Sequence, residues 1–283
     1  MRDAAATGQR PAISDVSAHV LGNTRLSEDY SVLALAAPGV AAAARPGQFV
    51  MLKPRRGHDP LLRRPFSIFE VLRDADGVPT GLTILNKRVG VGTGLLAEAV
   101  PGDTVACLGP LGRPFDVVDP PAEAWLVAGG VGLAPFATLA DALTARGTPL
   151  TLFYGARRSA DLHCADVFER RGVPIVFSTE DGSRGERGLV TAPLGRALEQ
   201  RGGRPVHVYA SRPTPKMRAV ADFTARHGCR CDVSLEQVMG CGLGGCYSCV
   251  VRVRETPAAP PHFVRSCSAG PVFDAARIAW EEL

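Results

Sequence analysis

The chain has 283 residues, 46% of them hydrophobic and 21% charged, with a mean hydropathy of +0.06. That is the composition of an ordinary globular protein, long enough for two or three domains. Its formal charge of +4 is modest, and Lys and Arg are scattered without interleaved aromatics, so neither a nucleic-acid surface nor a membrane-binding face is expected. No apolar run reaches the length of a membrane span. The lead MRDAAATGQRPAISDV has no apolar core before a cleavage site, so a short disordered lead is expected rather than a signal peptide, with the cytoplasm as compartment.

From residue 13 to 117, short apolar stretches (YSVLALAA, QFVMLKP, FSIFEVL, GLTILN, TVACLGPL) alternate with Gly, Pro and Asp, which predicts a small antiparallel barrel. Two motifs in it suit a phosphate-bearing cofactor. Arg64-Pro65-Phe66-Ser67 enters a strand, where the arginine can meet a pyrophosphate bidentately and Ser67 can hydrogen-bond a flavin ring nitrogen. An Arg-Pro turn entering a strand is equally common without any ligand. The run Asn86-Lys87-Arg88-Val89-Gly90-Val91-Gly92-Thr93-Gly94-Leu95-Leu96 reads as a Gly-rich turn opening a short helix. Its backbone N–H groups could capture phosphate, or it is a plain loop. The two motifs in one barrel strengthen each other.

From residue 118 to 228 the texture changes to strands alternating with helices. AWLVAGGVGLAPFATLADALTARG reads as strand, Gly-rich turn and helix. There follow strand PLTLFYGA, helix ADLHCADVFERR, strand VPIVFSTE, helix APLGRALEQRG, strand PVHVYAS and helix TPKMRAVADFTARHG. That order predicts a Rossmann-like parallel sheet covered on both faces. Gly129, Gly130 and Gly132 lie near the G-x-G-x-x-G dinucleotide spacing, but the third glycine is missing and Pro135 stands near the start of the helix. A tight turn without a ligand is the alternative. Glu180 and Asp181 suit a ribose, whereas Arg157 and Arg158 follow the second strand, where a 2′-phosphate would be met; NAD versus NADP stays open.

The last segment, residues 229 to 283, is loop-rich and too short for a large apolar core, so a metal centre is expected to hold it. It contains six of the eight cysteines. Cys241, Cys246 and Cys249 form C-x4-C-x2-C, and Cys267 follows after seventeen residues. This is the plant-type [2Fe-2S] spacing, and Gly242, Gly244 and Gly245 inside the first loop allow backbone to wrap a cluster closely. A zinc ribbon also uses four cysteines but usually as two C-x2-C pairs, and chance clustering of buried thiols is a further alternative. Cys107, Cys164, Cys229 and Cys231 read as packing residues.

Taken in order, RPFS, GVGTGLL, LGPLGRPF at 108–115, AGGVGLAP and the cysteine run resemble the ferredoxin–NADP reductase superfamily. With GCGLGGCYSCVV and the ending CSAGPVFDAARIAW, the chain is similar to the electron-transfer subunits of class B dihydroorotate dehydrogenases. The resemblance covers roughly residues 15 to 283. It implies an FAD-binding barrel at 13–117, an NAD-binding α/β domain at 118–228 and a [2Fe-2S] domain at 229–283. It further implies that Arg64, Pro65, Phe66 and Ser67 contact FAD with Leu85, Asn86 and Lys87, that Gly92 and Thr93 meet its phosphates, and that Gly129, Gly130 and Gly132 meet NAD. The cluster ligands it implies are Cys241, Cys246, Cys249 and Cys267. Two departures stand out: Phe66 lacks a tyrosine hydroxyl found in many relatives, and Ala210-Ser211-Arg212-Pro213-Thr214-Pro215 replaces a Cys-Gly-Pro turn.

A hydride carries two electrons and the cluster accepts one at a time, so the flavin belongs between them. No side chain is then needed as acid or base. The resemblance implies a partner, the FMN-bearing catalytic subunit of dihydroorotate dehydrogenase, in a heterotetramer with two copies of each, serving orotate formation. The apolar tail Val272, Phe273, Ile278 and Trp280 is expected either to join that interface or to pack on its own nucleotide domain. The rival is the same machine in another NAD(P)H-linked complex: ferredoxin:NADP, sulfide, glutamate synthase, sulfite reductase or hydrogenase. A zinc-stabilised binding protein would explain the cysteines alone.

Overall fold

The computed structural model describes residues 13–54, 59–256 and 258–283; the expected disordered lead, residues 1–12, lies outside them. The first layer is a seven-stranded antiparallel sheet built from β1 (Ser14–Arg25), β2 (Tyr30–Ala36), β3 (Phe49–Lys53), β4 (Arg64–Ser67), β5 (Glu70–Arg73), β6 (Pro79–Lys87) and β7 (Thr104–Leu111), in the order β4-β3-β7-β1-β2-β6-β5. Along β2 every second residue, Ser31, Leu33 and Leu35, is buried, the period-two pattern that points one face inward. Leu33, Leu35, Val50, Leu52, Ile68, Leu82 and Ile84 fill that core, each contributing about 1.5–3 kcal/mol on burial. Short helices α1 (Pro38–Ala43) and α2 (Val91–Ala97) accompany the sheet.

The run FSIFEVL, expected as one strand, is two. β4 ends at Ser67 and β5 begins at Glu70, at opposite ends of the strand order. Between them the Ile68 amide donates to the Gln48 carbonyl and the Phe69 amide to the Thr83 carbonyl. Two adjacent residues thus tie one edge of the curled sheet to the other and satisfy backbone groups that an open edge would leave unpaired.

The second sheet runs β11-β10-β9-β8-β12-β13-β16, from β8 (Glu123–Gly129), β9 (Leu150–Ala156), β10 (Ile175–Thr179), β11 (Glu186–Arg187), β12 (Val206–Ser211), β13 (Arg230–Ser234) and β16 (Val272–Asp274). All pairs are parallel except β13 with β16. α3 (Ala137–Ala145) and α4 (Ala165–Glu169) supply one apolar cluster, and α5 (Thr191–Gln200) and α6 (Thr214–Arg226) supply the other. The strand order reverses between β8 and β12, which opens a crevice at their C-terminal ends where ligands of such sheets bind.

Between β13 and β16 lie the cysteine loop, the hairpin β14 (Val250–Val253) with β15 (His262–Arg265), and α7 (Ser266–Ala269). The segment that carries the cysteines therefore also supplies two strands of the nucleotide sheet. The tail packs at home: Val272, Phe273 and Ile278 are buried, and the Trp280 indole donates to the Ala275 carbonyl at 2.9 Å. Their apolar surface is already used by this chain. The stretch ADLHCADVFERR, expected as one helix, holds only the five-residue α4, because Cys164 takes a left-handed φ of 59° just before it.

Candidate functional site

The cysteine loop is seated on the barrel. Cys249 and Cys267 are buried in one cluster with Phe49, Met51, Leu108 and Leu111 of β3 and β7. Gly242, at φ +75°, passes so close that an added Cβ would lie 2.6 Å from Met51 Cγ and 3.1 Å from Leu111 Cδ1. Only glycine meets both the left-handed backbone and the approach. Gly244 takes φ +84°, and Arg265 holds its carbonyl at 3.0 Å while lying over the Tyr247 ring.

Among the described residues no three His, Cys, Asp or Glu side chains converge as they would on one ion; Cys241 acts on Cys246, and Cys249 on Cys267. Cys246 is exposed, and its thiol is brought down to about 6, first by the Ser248 hydroxyl at 3.2 Å and then by Cys241. Cys267 goes the other way, up to about 12, chiefly through burial and then through contact with Cys249. Backbone amides already point at two sulfurs: Leu243 N to Cys241 Sγ at 3.4 Å and Cys267 N to Cys249 Sγ at 3.5 Å. Four thiols with amide donors and glycines at positive φ fit an iron–sulfur cluster, whose iron charge favours the thiolate even where burial alone opposes it.

One strand further into the barrel lies the RPFS motif. Met51 of β3 is the cross-strand partner of Pro65, and Val50 of Phe66. The Arg64 guanidinium donates to the Leu62 and Arg63 carbonyls at 3.0 and 3.2 Å. A Cβ on Gly92 would stand 3.4 Å from Arg64 Cγ, so the structure brings together two motifs that are distant in sequence. Thr93 shapes the loop: its hydroxyl accepts from Val89 N at 2.8 Å and Gly90 N at 3.1 Å. Asn86 is fully buried, donates to the Thr93 carbonyl at 3.0 Å, and leaves its Oδ1 without a partner. The Leu85 side chain is buried in the core shared with the nucleotide domain, and Lys87 Nζ sits over the Tyr30 ring. Arg64, with no carboxylate partner among the described residues and packed against the bare Gly92, fits a phosphate-bearing cofactor, while the orphaned Asn86 Oδ1 is an acceptor suited to a donor group of such a cofactor.

At the crevice, β8 is followed by a 3-10 turn, Gly130–Phe136, ahead of α3, where a Gly-rich turn opening a helix was expected. Gly130 takes φ +52°. Gly129 and Gly132 face the end of β12: added Cβ atoms would lie 3.3 Å and 3.1 Å from the Arg212 carbonyl, and that of Gly132 only 2.8 Å from Ser211 Oγ. Part of the glycine requirement is therefore packing, with Ser211 donating to the Gly132 carbonyl. Tyr30 links barrel and turn, its ring tilted against His163 at 4.5 Å between centroids and its hydroxyl 3.5 Å from an added Gly130 Cβ. Arg157 is exposed, and Arg158 is paired with Asp161 at 3.3 Å. Met51, Leu111, Tyr30 and Lys216 are the residues of these regions that motif reading passes over. A Lys in the first turn of a helix was the one sequence signal among them.

Comparison with known proteins agrees with this layout. Residues 126–221 match the oxidoreductase NAD-binding domain, and residues 236–279 match the iron–sulfur cluster binding domain of dihydroorotate dehydrogenase B. A solved NADH-dependent reduced ferredoxin–NADP oxidoreductase, described for flavin-based electron bifurcation, superimposes with TM-score 0.82 at 27% identity, covering 95% of this chain and 92% of that one. The class is thus an NAD-linked oxidoreductase subunit of ferredoxin-reductase-like fold that handles FAD, an iron–sulfur cluster and NAD. Dihydroorotate dehydrogenase B (NAD(+)) electron transfer subunits are similar over nearly the whole length. That of Geobacillus kaustophilus is 38% identical over 89% of this chain and 94% of the relative, and that of Desulforamulus reducens 36% over 87% and 90%. The chain belongs to the family of dihydroorotate dehydrogenase B electron transfer subunits.

Proposed function

We propose that this chain carries electrons between NAD and the catalytic subunit of a dihydroorotate dehydrogenase, in the step that forms orotate. In this reading residues 13–117 hold FAD, 118–228 hold NAD and 229–283 hold a [2Fe-2S] cluster. When bound, the flavin exchanges two electrons with the dinucleotide and single electrons with the cluster. Arg64 and the Gly92–Thr93 loop would bind the FAD phosphates, while Pro65, Phe66, Ser67, Leu85, Asn86 and Lys87 would line the rest. Gly129, Gly130 and Gly132 would receive NAD, and Cys241, Cys246, Cys249 and Cys267 would ligate the cluster. No side chain is assigned as acid or base; the residues bind, orient and exclude water.

The observation that carries the reading is the seating of the cysteine loop on β3, the strand hydrogen-bonded to the RPFS strand β4. The residues that would hold the two redox groups thus sit on, and against, neighbouring strands, an arrangement that would suit direct electron transfer between those groups. The outer face of the loop supports a protein partner: Leu243 is 58% exposed and Tyr247 62%, beside the exposed Cys246, an apolar rim suited to burial in an interface. The partner proposed is the FMN-bearing catalytic subunit, two copies of each chain forming a heterotetramer. Purified alone, the chain should reduce dyes with NADH and leave dihydroorotate untouched; adding the catalytic subunit should restore dihydroorotate-dependent NAD reduction. Turnover of dihydroorotate by the lone chain, or failure to associate, refutes this reading. The likeness to the ferredoxin–NADP oxidoreductase favours a second customer, a ferredoxin-linked complex, and a preference for reduced ferredoxin over the catalytic subunit would select it.

A further inference from the structure

The crevice at the end of β8 holds an amine whose donors its own surroundings do not fill. Lys216 stands in the first turn of α6, with no acidic residue in that turn, at the end of the helix whose dipole already carries positive potential. Its Nζ donates to the Val127 carbonyl at 3.1 Å, one acceptor for a group with three donors. Among the described residues no carboxylate pairs with it, and burial alone pushes its pKa well below the usual lysine range. A methionine or leucine would fill the same space without a desolvation cost, so the amine has no structural rationale in the free chain.

The neighbours say which way the amine faces. A Cβ on Gly129 would stand 3.4 Å from Nζ, so the bare glycine leaves the approach from the turn open. The other polar side chains following β12 are engaged elsewhere: Ser211 donates to the Gly132 carbonyl, and Arg212 is paired with Glu236. That leaves Lys216, with one acceptor for its three donors, as the amine beside Gly129.

We infer that Lys216 is the anion-binding residue of the crevice, donating to a pyrophosphate oxygen of the dinucleotide laid over Gly129–Gly132. The inference rests on assigning that turn to NAD. The pyrophosphate supplies a negative charge that favours the protonated form of the half-buried amine and suits the helix end, and a side chain anchored on β8 meets it without rearrangement. Because the pyrophosphate is remote from the reacting carbon, the contact is made equally before and during hydride transfer, so it governs affinity rather than the chemical rate.

The test uses the full-length protein with its flavin and cluster, as Lys216→Met and Lys216→Gln; the glutamine keeps a donor for the Val127 carbonyl and guards the fold. Dissociation constants are measured for NADH and for ADP-ribose, which has the pyrophosphate but no nicotinamide. Both variants should bind both ligands about tenfold to a hundredfold more weakly, with KM for NADH raised and kcat for dye reduction nearly unchanged. Unaltered ADP-ribose affinity, or a loss confined to kcat, overturns the assignment of Lys216. Failure of the wild-type protein to bind either ligand would instead remove the assignment of the turn, and Lys216 with it.

Discussion

Replacing Gly242 by alanine probes the junction between cysteine loop and barrel at a single atom. Gly242 sits at φ +75°, and the added methyl would lie 2.6 Å from Met51 Cγ and 3.1 Å from Leu111 Cδ1. The left-handed backbone costs about 1–2 kcal/mol for a residue with a Cβ, and the overlap in a packed core costs about 1–3 kcal/mol more. A total of about 2–5 kcal/mol is a large share of the roughly 5–15 kcal/mol that holds a domain. The loop should therefore lift from β3, so iron and acid-labile sulfide per chain fall while flavin content holds. The Met51→Ala background makes room for the methyl, so a double-mutant cycle in urea should show favourable coupling of about 1–3 kcal/mol. Full cluster content in Gly242→Ala, with an unchanged urea midpoint, would refute the reasoning.

Arg64→Ala removes a cation that has only carbonyl partners among the described residues; about 1.5–3 kcal/mol of flavin binding should go with it, and unchanged flavin after long dialysis would count against the assignment. Gly130→Val places a branched side chain at φ +52° beside Tyr30, so stopped-flow reduction by NADH should slow while flavin content stays; equal rates would show that the turn does not touch the dinucleotide. In cluster-free protein, Cys246 with its thiol near 6 and Cys267 near 12 should differ sharply towards iodoacetamide. The thiolate forms as pH rises through the pKa, so Cys246 labelling should climb around pH 6 and level off by neutrality, while Cys267 stays unlabelled. Mass spectrometry of the alkylated peptides reads this directly, and equal labelling at pH 7 would contradict it.

Much of the layout was legible because its signals are local. Alternation in YSVLALAA, the Gly turn after AWLVA and the C-x4-C-x2-C spacing each report a period or a ligand set within about a dozen residues. What stayed hidden is long-range. The break at Ile68–Phe69 depends on carbonyls of Gln48 and Thr83, and nothing inside FSIFEVL marks it. The seating of Gly242 on Met51 joins residues 191 positions apart, so the short path from cysteines to RPFS could not be read from either motif. The tail was ambiguous because an apolar run looks the same whether it covers a partner or its own sheet; the pairing of β16 with β13 decides it. Glycines 129 and 132 suggested a ligand, and half of their reason turned out to be the Arg212 carbonyl and Ser211 hydroxyl packed against them.

The central claim is that electrons reach the dinucleotide side of this chain through the cysteine loop, and Cys246→Ser in the complex reconstituted with the catalytic subunit tests it most directly. Cys246 is exposed, and the residues proposed to hold flavin lie on other elements, so the variant should keep its flavin and its NADH-to-ferricyanide activity. Dihydroorotate-dependent NAD reduction should fall to background together with the iron content. Retention of that transfer in a complex shown to lack the cluster would contradict the account.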